Sequence, residues 1–422
     1  MLELWRVYQN EWMKLLRRRR LWVAGLLGVA MIALFVYKTY HDHQNQLRYD
    51  SLTAWQQQLT MDKQELSQLQ KERSHSDTAS GPGGNADAAS EIQMLKDNIR
   101  RLQEQIAEVT ESDTKWQRAQ AKSVKDEQAN LKQQLAQPKP SNALQAAQQS
   151  AGIAQTRLDL LQATYRLEHH IRPLPTWSQT PYDMVRDFLG FTAQVFLPLL
   201  AVILTADFVS GEATSGSIKL LLVRPVPRWK VLLGKWLVAL MATAALTVGL
   251  CGVVWLIGCL QYGATGGRQP QVVGLSYAFQ RFVSPDGGTD TVVTPLLSHA
   301  HILPMWAFTL AAIGLTALAM MVVATIAFVC TTCLKSAMAS TAAALGAVVI
   351  GFIVTQFLQG SHWVAFLFPT HLNLAADWTG STATQLTLTV SLLSGLGTLV
   401  VWGGLSILGA FIYFVRRDVL NA

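Results

Sequence analysis

The sequence predicts an all-α integral membrane protein: six transmembrane helices, with a long helical insertion between the first and the second. Three observations predict it. Half of the 422 residues are hydrophobic and only 14% are charged. Six runs, 21–39, 188–206, 231–259, 305–330, 339–358 and 388–415, reach the ~20 apolar residues that a helix needs to cross a bilayer. Between the first two runs lies a stretch of different character, 40–187, which carries 17 basic and 19 acidic residues.

Each element follows in order. Over residues 1–20, Leu2, Trp5, Tyr8, Trp12, Leu15 and Leu16 fall on one helical face, with Glu3, Arg6, Gln9, Asn10 and Lys14 elsewhere. A Trp-rich basic helix of this kind suits the inner membrane interface, or packs against the spans. Arg17 to Arg20 then lead into the first span, 21–39. Tyr37-Lys38-Thr39-Tyr40 follows it in place of a small-residue cleavage site, so it reads as an uncleaved helix.

In the insertion, Ile92, Leu95, Ile99, Leu102, Ile106 and Val109 are spaced 3, 4, 3, 4, 3, a heptad seam. Leu52, Leu59 and Leu66 repeat at seven, with Leu69 in the same row. A third helical piece carries Leu158, Leu161, Tyr165 and Leu167. Gly81-Pro82-Gly83-Gly84 and Pro138-Lys139-Pro140 divide them. The expectation is two or three long helices folded back as a coiled-coil stalk, one of them running unbroken over 91–135 for roughly 65 Å. Span two, 188–206, contains Pro198, which is expected to kink it. The glycines of 395–409 permit close helix contact in span six.

Orientation follows from Lys and Arg. Thirteen lie in 1–20, 207–230, 331–338 and the C-terminal tail, whereas the loops 260–304 and 359–387 carry Arg268 and Arg281 only. The excess marks the cytoplasmic side. Both termini and the loop 207–230 therefore face the cytoplasm, and 40–187 faces outward in the cell membrane. The basic skirt suits anionic lipid headgroups as a partner. Nucleic acid is a poor fit, because the basic residues sit at span ends.

The loop is the most informative part. Asp207 to Lys235 reads DFVSGEATSGSIKLLLVRPVPRWKVLLGK, a polar, basic segment between two apolar runs. Its Glu212-Ala213-Thr214-Ser215-Gly216-Ser217, then Arg224-Pro225-Val226-Pro227-Arg228 and Lys235, resemble the permease subunit of ABC-2 type ABC transporters. So do Asn10-Glu11-Trp12-Met13-Lys14-Leu15 and the tail Phe414-Val415-Arg416-Arg417-Asp418. The resemblance covers the six-span frame of ABC-2 permease type and leaves the insertion unexplained. It implies that the loop holds a coupling helix docking on a separate ABC ATPase subunit, with Glu212, Gly216, Ser217, Arg224, Pro225 and Arg228 as contact residues. It implies a lateral helix before span one and membrane-dipping segments around 361–374. It also implies a second permease subunit, identical or related.

No residue of this chain is expected to be catalytic. Gly211 and Gly216 carry the glycine spacing of a phosphate loop, but Ser217 stands where lysine is needed and no strand precedes it. ATP and Mg²⁺ are therefore expected on the partner ATPase, and no cofactor on this chain. Cys330 and Cys333 end a span on the reducing side and read as helix packing rather than as a metal or redox pair. No metal site is expected. The spans hold almost nothing ionisable in their middles, which disfavours a proton- or ion-coupled carrier.

The function expected is the membrane half of an ATP-driven exporter of a lipid-like, peptide or other amphipathic substrate. The alternative is a non-transporting transmitter or sensor that couples a cytoplasmic ATPase to an outer partner through the stalk.

Overall fold

A computed structural model of the chain describes residues 2–76, 85–138, 140–214, 227–283 and 289–416. The chain divides into two compact units. One comprises Met1–Phe35, Gln128–Tyr165 and Thr180–Ala422; the other comprises Val36–Glu127 and Arg166–Gln179.

The first unit holds the membrane helices. After α1 (Leu2–Arg17), the spans are α2 (Arg19–Tyr49), α10 (Arg228–Tyr262), α11 (Met305–Cys333), α12 (Ala337–Phe357) and α15 (Leu392–Arg416). All five are long and apolar enough to cross a bilayer. The run expected to be span two is not one helix but a bent pair, either a broken span or a re-entrant loop. It consists of α7 (Pro181–Thr192) and α8 (Phe196–Thr205), bent by 69°. The expected kink at Pro198 is corrected: the break falls at residues 193–195. Pro198 sits in the first turn of α8, where its missing N–H would find no helical partner anyway. Thr180 caps α7 by accepting from the Asp183 amide, with Pro181 at the first helical position.

Helix α11 is the hub and packs on α8, α10, α12 and α15. A buried hydroxyl cluster fixes the chain that follows α8. Thr331 Oγ1 accepts from the amides of Val209 (3.2 Å) and Ser210 (2.9 Å), and Ser210 Oγ lies 2.9 Å from Ser340 Oγ. Those bonds hold α9 (Ser210–Thr214) against α11 and α12.

The loop 260–304 corrects the all-helical expectation. Strand β1 (Pro270–Val273) pairs antiparallel with β4 (His301–Pro304), and β2 (Ser276–Val283) with β3 (Thr289–Leu296). Tyr277 and Phe279 alternate along β2 and so share a face. They pack on Val364, Ala383, Leu386, Leu388 and Val390. Residues 361–386 fold into two 3-10 turns, His362–Phe366 and Phe368–His371, then α13 (Leu374–Thr379) and α14 (Ser381–Leu386).

Among the described residues, four helices lie wholly within the insertion: α3 (Leu52–Ser76), α4 (Asn85–Thr110), α5 (Asp113–Ala136) and α6 (Ala143–Glu168). The expected unbroken helix over 91–135 ends at Thr110 and resumes at Asp113. In the second unit α3 packs on α4, and Ile92 and Ile99 of the heptad seam are buried. Arg172 donates to the Glu111 carbonyl (2.9 Å) at the α4–α5 break. Trp55 and Trp177 meet edge to face with ring centres 4.8 Å apart. In the first unit, Leu158 of α6 packs with Val272 and Leu275 beside β1.

Candidate functional site

Three charged side chains that the sequence scatters over 225 positions come together at one end of the bundle. Lys235 lies in the second turn of α10 and is 2% exposed; Glu11 of α1 is 3% exposed and Glu212 of α9 is 6% exposed. Lys235 Nζ donates to Glu11 Oε2 at 2.7 Å and lies 2.8 Å from Glu212 Oε2. Lys14 closes the group from the solvent side, 2.8 Å from Glu11 Oε1 and 3.2 Å from Glu212 Oε1. Arg18 extends it to Asp207 (3.2 Å) and stacks over Phe208, 5.3 Å from the ring centre; Arg20 lies 3.1 Å from Asp207 Oδ2.

The helices are shaped for this meeting. A Cβ at Gly234 would lie 2.7 Å from Val7 Cγ1, so only glycine lets α1 approach α10 so closely next to Lys235. Beneath the charges, Leu15, Leu232, Val238, Phe208, Phe328 and Phe414 form an apolar floor, with Tyr8 and Trp12 packed on it. An isolated charge in such a place is very costly, and only mutual pairing makes it tolerable. Burial by itself would raise the Glu11 pKa. Lys235 and Lys14 overcome that effect and hold the carboxyl below its usual range. For Lys14, burial works against the charge, but the two glutamates prevail and its pKa is raised.

Of the residues the loop pattern singled out, Glu212 is turned inward onto Lys235, and Arg228 opens α10 at the surface. Gly216, Ser217, Arg224 and Pro225 lie outside the described residues. Sequence reasoning did not assemble Glu11, Lys14, Arg18 and Lys235 with Glu212. A signal was present: Glu11 stands three residues after Tyr8 and four before Leu15, an acid inside the buried stripe of α1. Lys235 similarly interrupts an apolar helix of 35 residues.

A second buried ion pair lies in the 359–387 loop. His371 and Asp377 are both fully buried, with Nδ1 2.7 Å from Asp377 Oδ2 and Nε2 2.9 Å from the Ala365 carbonyl. With Asp377 ionised both partners are acceptors, an arrangement that favours an imidazolium donating from both ring nitrogens. Burial opposes that charge, but the Asp377 carboxylate and the Ala365 carbonyl outweigh it and raise the His371 pKa. A Cβ at Gly395 would clash with Asp377 Oδ2 and His371 Nδ1, so glycine there admits the pair against α15.

Five continuous spanning helices, one bent pair and an amphipathic entry helix tied down by buried charge define a multi-pass membrane protein. The chain belongs to the ABC-2 family of transporter proteins, whose family model, described as ABC-2 family transporter protein, matches residues 5–419. It is also similar to the uncharacterized protein YhcI of Bacillus subtilis (strain 168). The two are 27% identical over 259 residues, 61% of this chain and 74% of that protein. Membership in this family makes the chain a membrane component of a transporter rather than a catalytic subunit.

Proposed function

We propose that the chain is the permease subunit of an ATP-driven exporter of an amphipathic substrate. A separate ABC ATPase, which holds ATP and Mg²⁺, docks on the cytoplasmic loop 207–230. A second permease subunit, identical or related, completes the pathway, with both termini cytoplasmic. The ion cluster carries the ATPase's movement into the bundle.

The observation that carries this reading is the clamp on both ends of the loop. Glu212 lies near its start and Lys235 five residues past its end, and both pair within one buried group that also holds α1. A displacement of the loop therefore pulls on α1, α8 and α10 together. Apolar side chains would join three helices at least as stably as buried charges do. Charges have the further property that their pairing can be re-sorted when a charged partner approaches.

The test is co-purification and turnover. Changing Arg224 and Arg228 to Glu should leave the permease inserted but lose the ATPase subunit, since reversing a contact of this kind costs ~2–5 kcal/mol. An unchanged complex with unchanged hydrolysis would mean that the loop's charges serve orientation only. The transmitter alternative draws support from the four insertion helices. It is separated by solute flux in liposomes, which the exporter gives and the transmitter does not.

A further inference from the structure

Residues Thr309 and Thr331 stand 22 positions apart on α11, about 33 Å along a helix. Thr331 anchors the end of the bundle with the ion cluster, and Thr309 lies at the end with the β-strands. There a cavity of about 670 Å³ opens between α7, the break at 193–195, the first turns of α11, and α13 and α14. Its volume is in the ~300–1,000 Å³ range of small-molecule sites. Gln194, Gln271 and Gln385 line it together with Thr309, the Gln271 amide already donating to the Val272 carbonyl (3.2 Å), and Leu189 and Phe308 form apolar wall.

Thr309 sets this cavity apart. The other buried threonines on α11 are all paired: Thr316, Thr325 and Thr332 return their hydroxyls to the carbonyls of Ala312, Met321 and Phe328, and Thr331 bonds with Ser210. Thr309 is 4% exposed, yet among the described residues its Oγ1 has no hydrogen-bond partner. A buried hydroxyl left so is costly unless something it faces can pair with it. The charge balance narrows the ligand. Among the described lining residues Arg186 is the one cation, and it is already held by Asp183 (3.0 Å) and Asp187 (3.2 Å). A phosphate or carboxylate would find no uncompensated positive charge there and would meet the Asp187 carboxylate. Amides and a hydroxyl each offer a donor and an acceptor, which matches groups that do the same.

We propose that this cavity binds the uncharged, hydroxyl-rich headgroup of an amphipathic molecule, with Thr309 and the three glutamines as its polar contacts. It deepens the exporter reading, on which its place in a transport path rests, by naming the substrate class.

The experiment uses the full chain in nanodiscs without any ATPase, with binding of octyl glucoside below its micellar concentration followed by Trp fluorescence. Trp378, whose ring centre is 5.9 Å from that of Phe308, serves as the reporter. Octyl phosphate is the anionic counterpart and octanamide the amide one. The glucoside is expected to saturate one site and to bind at least about tenfold more tightly than the phosphate. Thr309→Val should weaken it about 3- to 10-fold, and Thr309→Ser should restore it. Gln194→Leu should weaken it as well. The proposal is overturned if octyl phosphate or octanamide binds as tightly as the glucoside. It is overturned equally if Thr309→Val and Gln194→Leu, with folded-state melting unchanged, bind as the parent does. Failure of the unaltered chain to co-purify with any ATPase would sink the exporter reading and leave this binding intact; a working complex that ignores the glucoside would sink this proposal alone.

Discussion

Lys235, nearly fully buried, sits between two carboxylates, so removing one partner differs from removing all. Lys235→Met should cost up to ~3–5 kcal/mol, because Glu11 and Glu212 lose the cation they share on their buried side and keep only Lys14 and Arg18, which are more exposed. The triple change Glu11→Gln, Glu212→Gln and Lys235→Met should recover most of that loss. Chemical unfolding in bicelles measures both, and equal losses would show that the side chains act through packing rather than charge. His371 gives a pH signature. Its pKa is raised in the folded chain, so the pair with Asp377 contributes fully below about pH 6.5, where the unfolded histidine is also protonated. That contribution is lost as pH climbs through the folded value. The melting temperature should therefore step down on the alkaline side, and Asp377→Asn should erase the step. A step in the opposite direction would mean a neutral ring. The sequence singled out Glu212 as a docking contact on the loop, not as a partner of Lys235. Its inward orientation was not legible, because its partners come from α1 and α10 and no local pattern brings them together.

At the scale of elements, the apolar runs located α10, α11, α12 and α15 to within four residues at each end, whereas α2 runs on ten residues past its run, because length and hydropathy are properties of a single segment. What they missed depends on local breaks and on weak alternation. Residues 193–195 interrupt span two without a helix-breaking residue among them, while Pro198, the obvious breaker, is accommodated in a first turn. Pro198→Ala should therefore leave the bend in place. Spin labels at Asp187 and Ile203 should keep their separation to within about 2 Å, the size of side-chain rotamer scatter. A straightened span two would restore the proline as the cause. The heptad seam foresaw the burial of Ile92 and Ile99 but not the break after Thr110. The aromatic alternation in Ser276–Val283, a recognisable strand pattern, stood in a segment that read as loop.

At the scale of the molecule, the arginine count yields an orientation that can be measured directly. In a background without the four native cysteines, Ser80→Cys should be labelled from outside intact cells and Ser215→Cys should not; external labelling of Ser215→Cys would reverse the assignment. The insertion is also less separable than its composition suggests. Leu158 of α6 is shared with Val272 and Leu275, so the end of the inserted sequence is a structural tile of the main body. The natural seam for surgery runs at about Gln128 and Tyr165, not at the ends of 40–187. Excising the whole insertion as a cassette would peel the cover from an apolar patch beside β1 and leave a sticky scar. A shorter cut that spares Ala143–Tyr165 would keep the patch roofed, and with it the solubility of that end of the molecule in detergent.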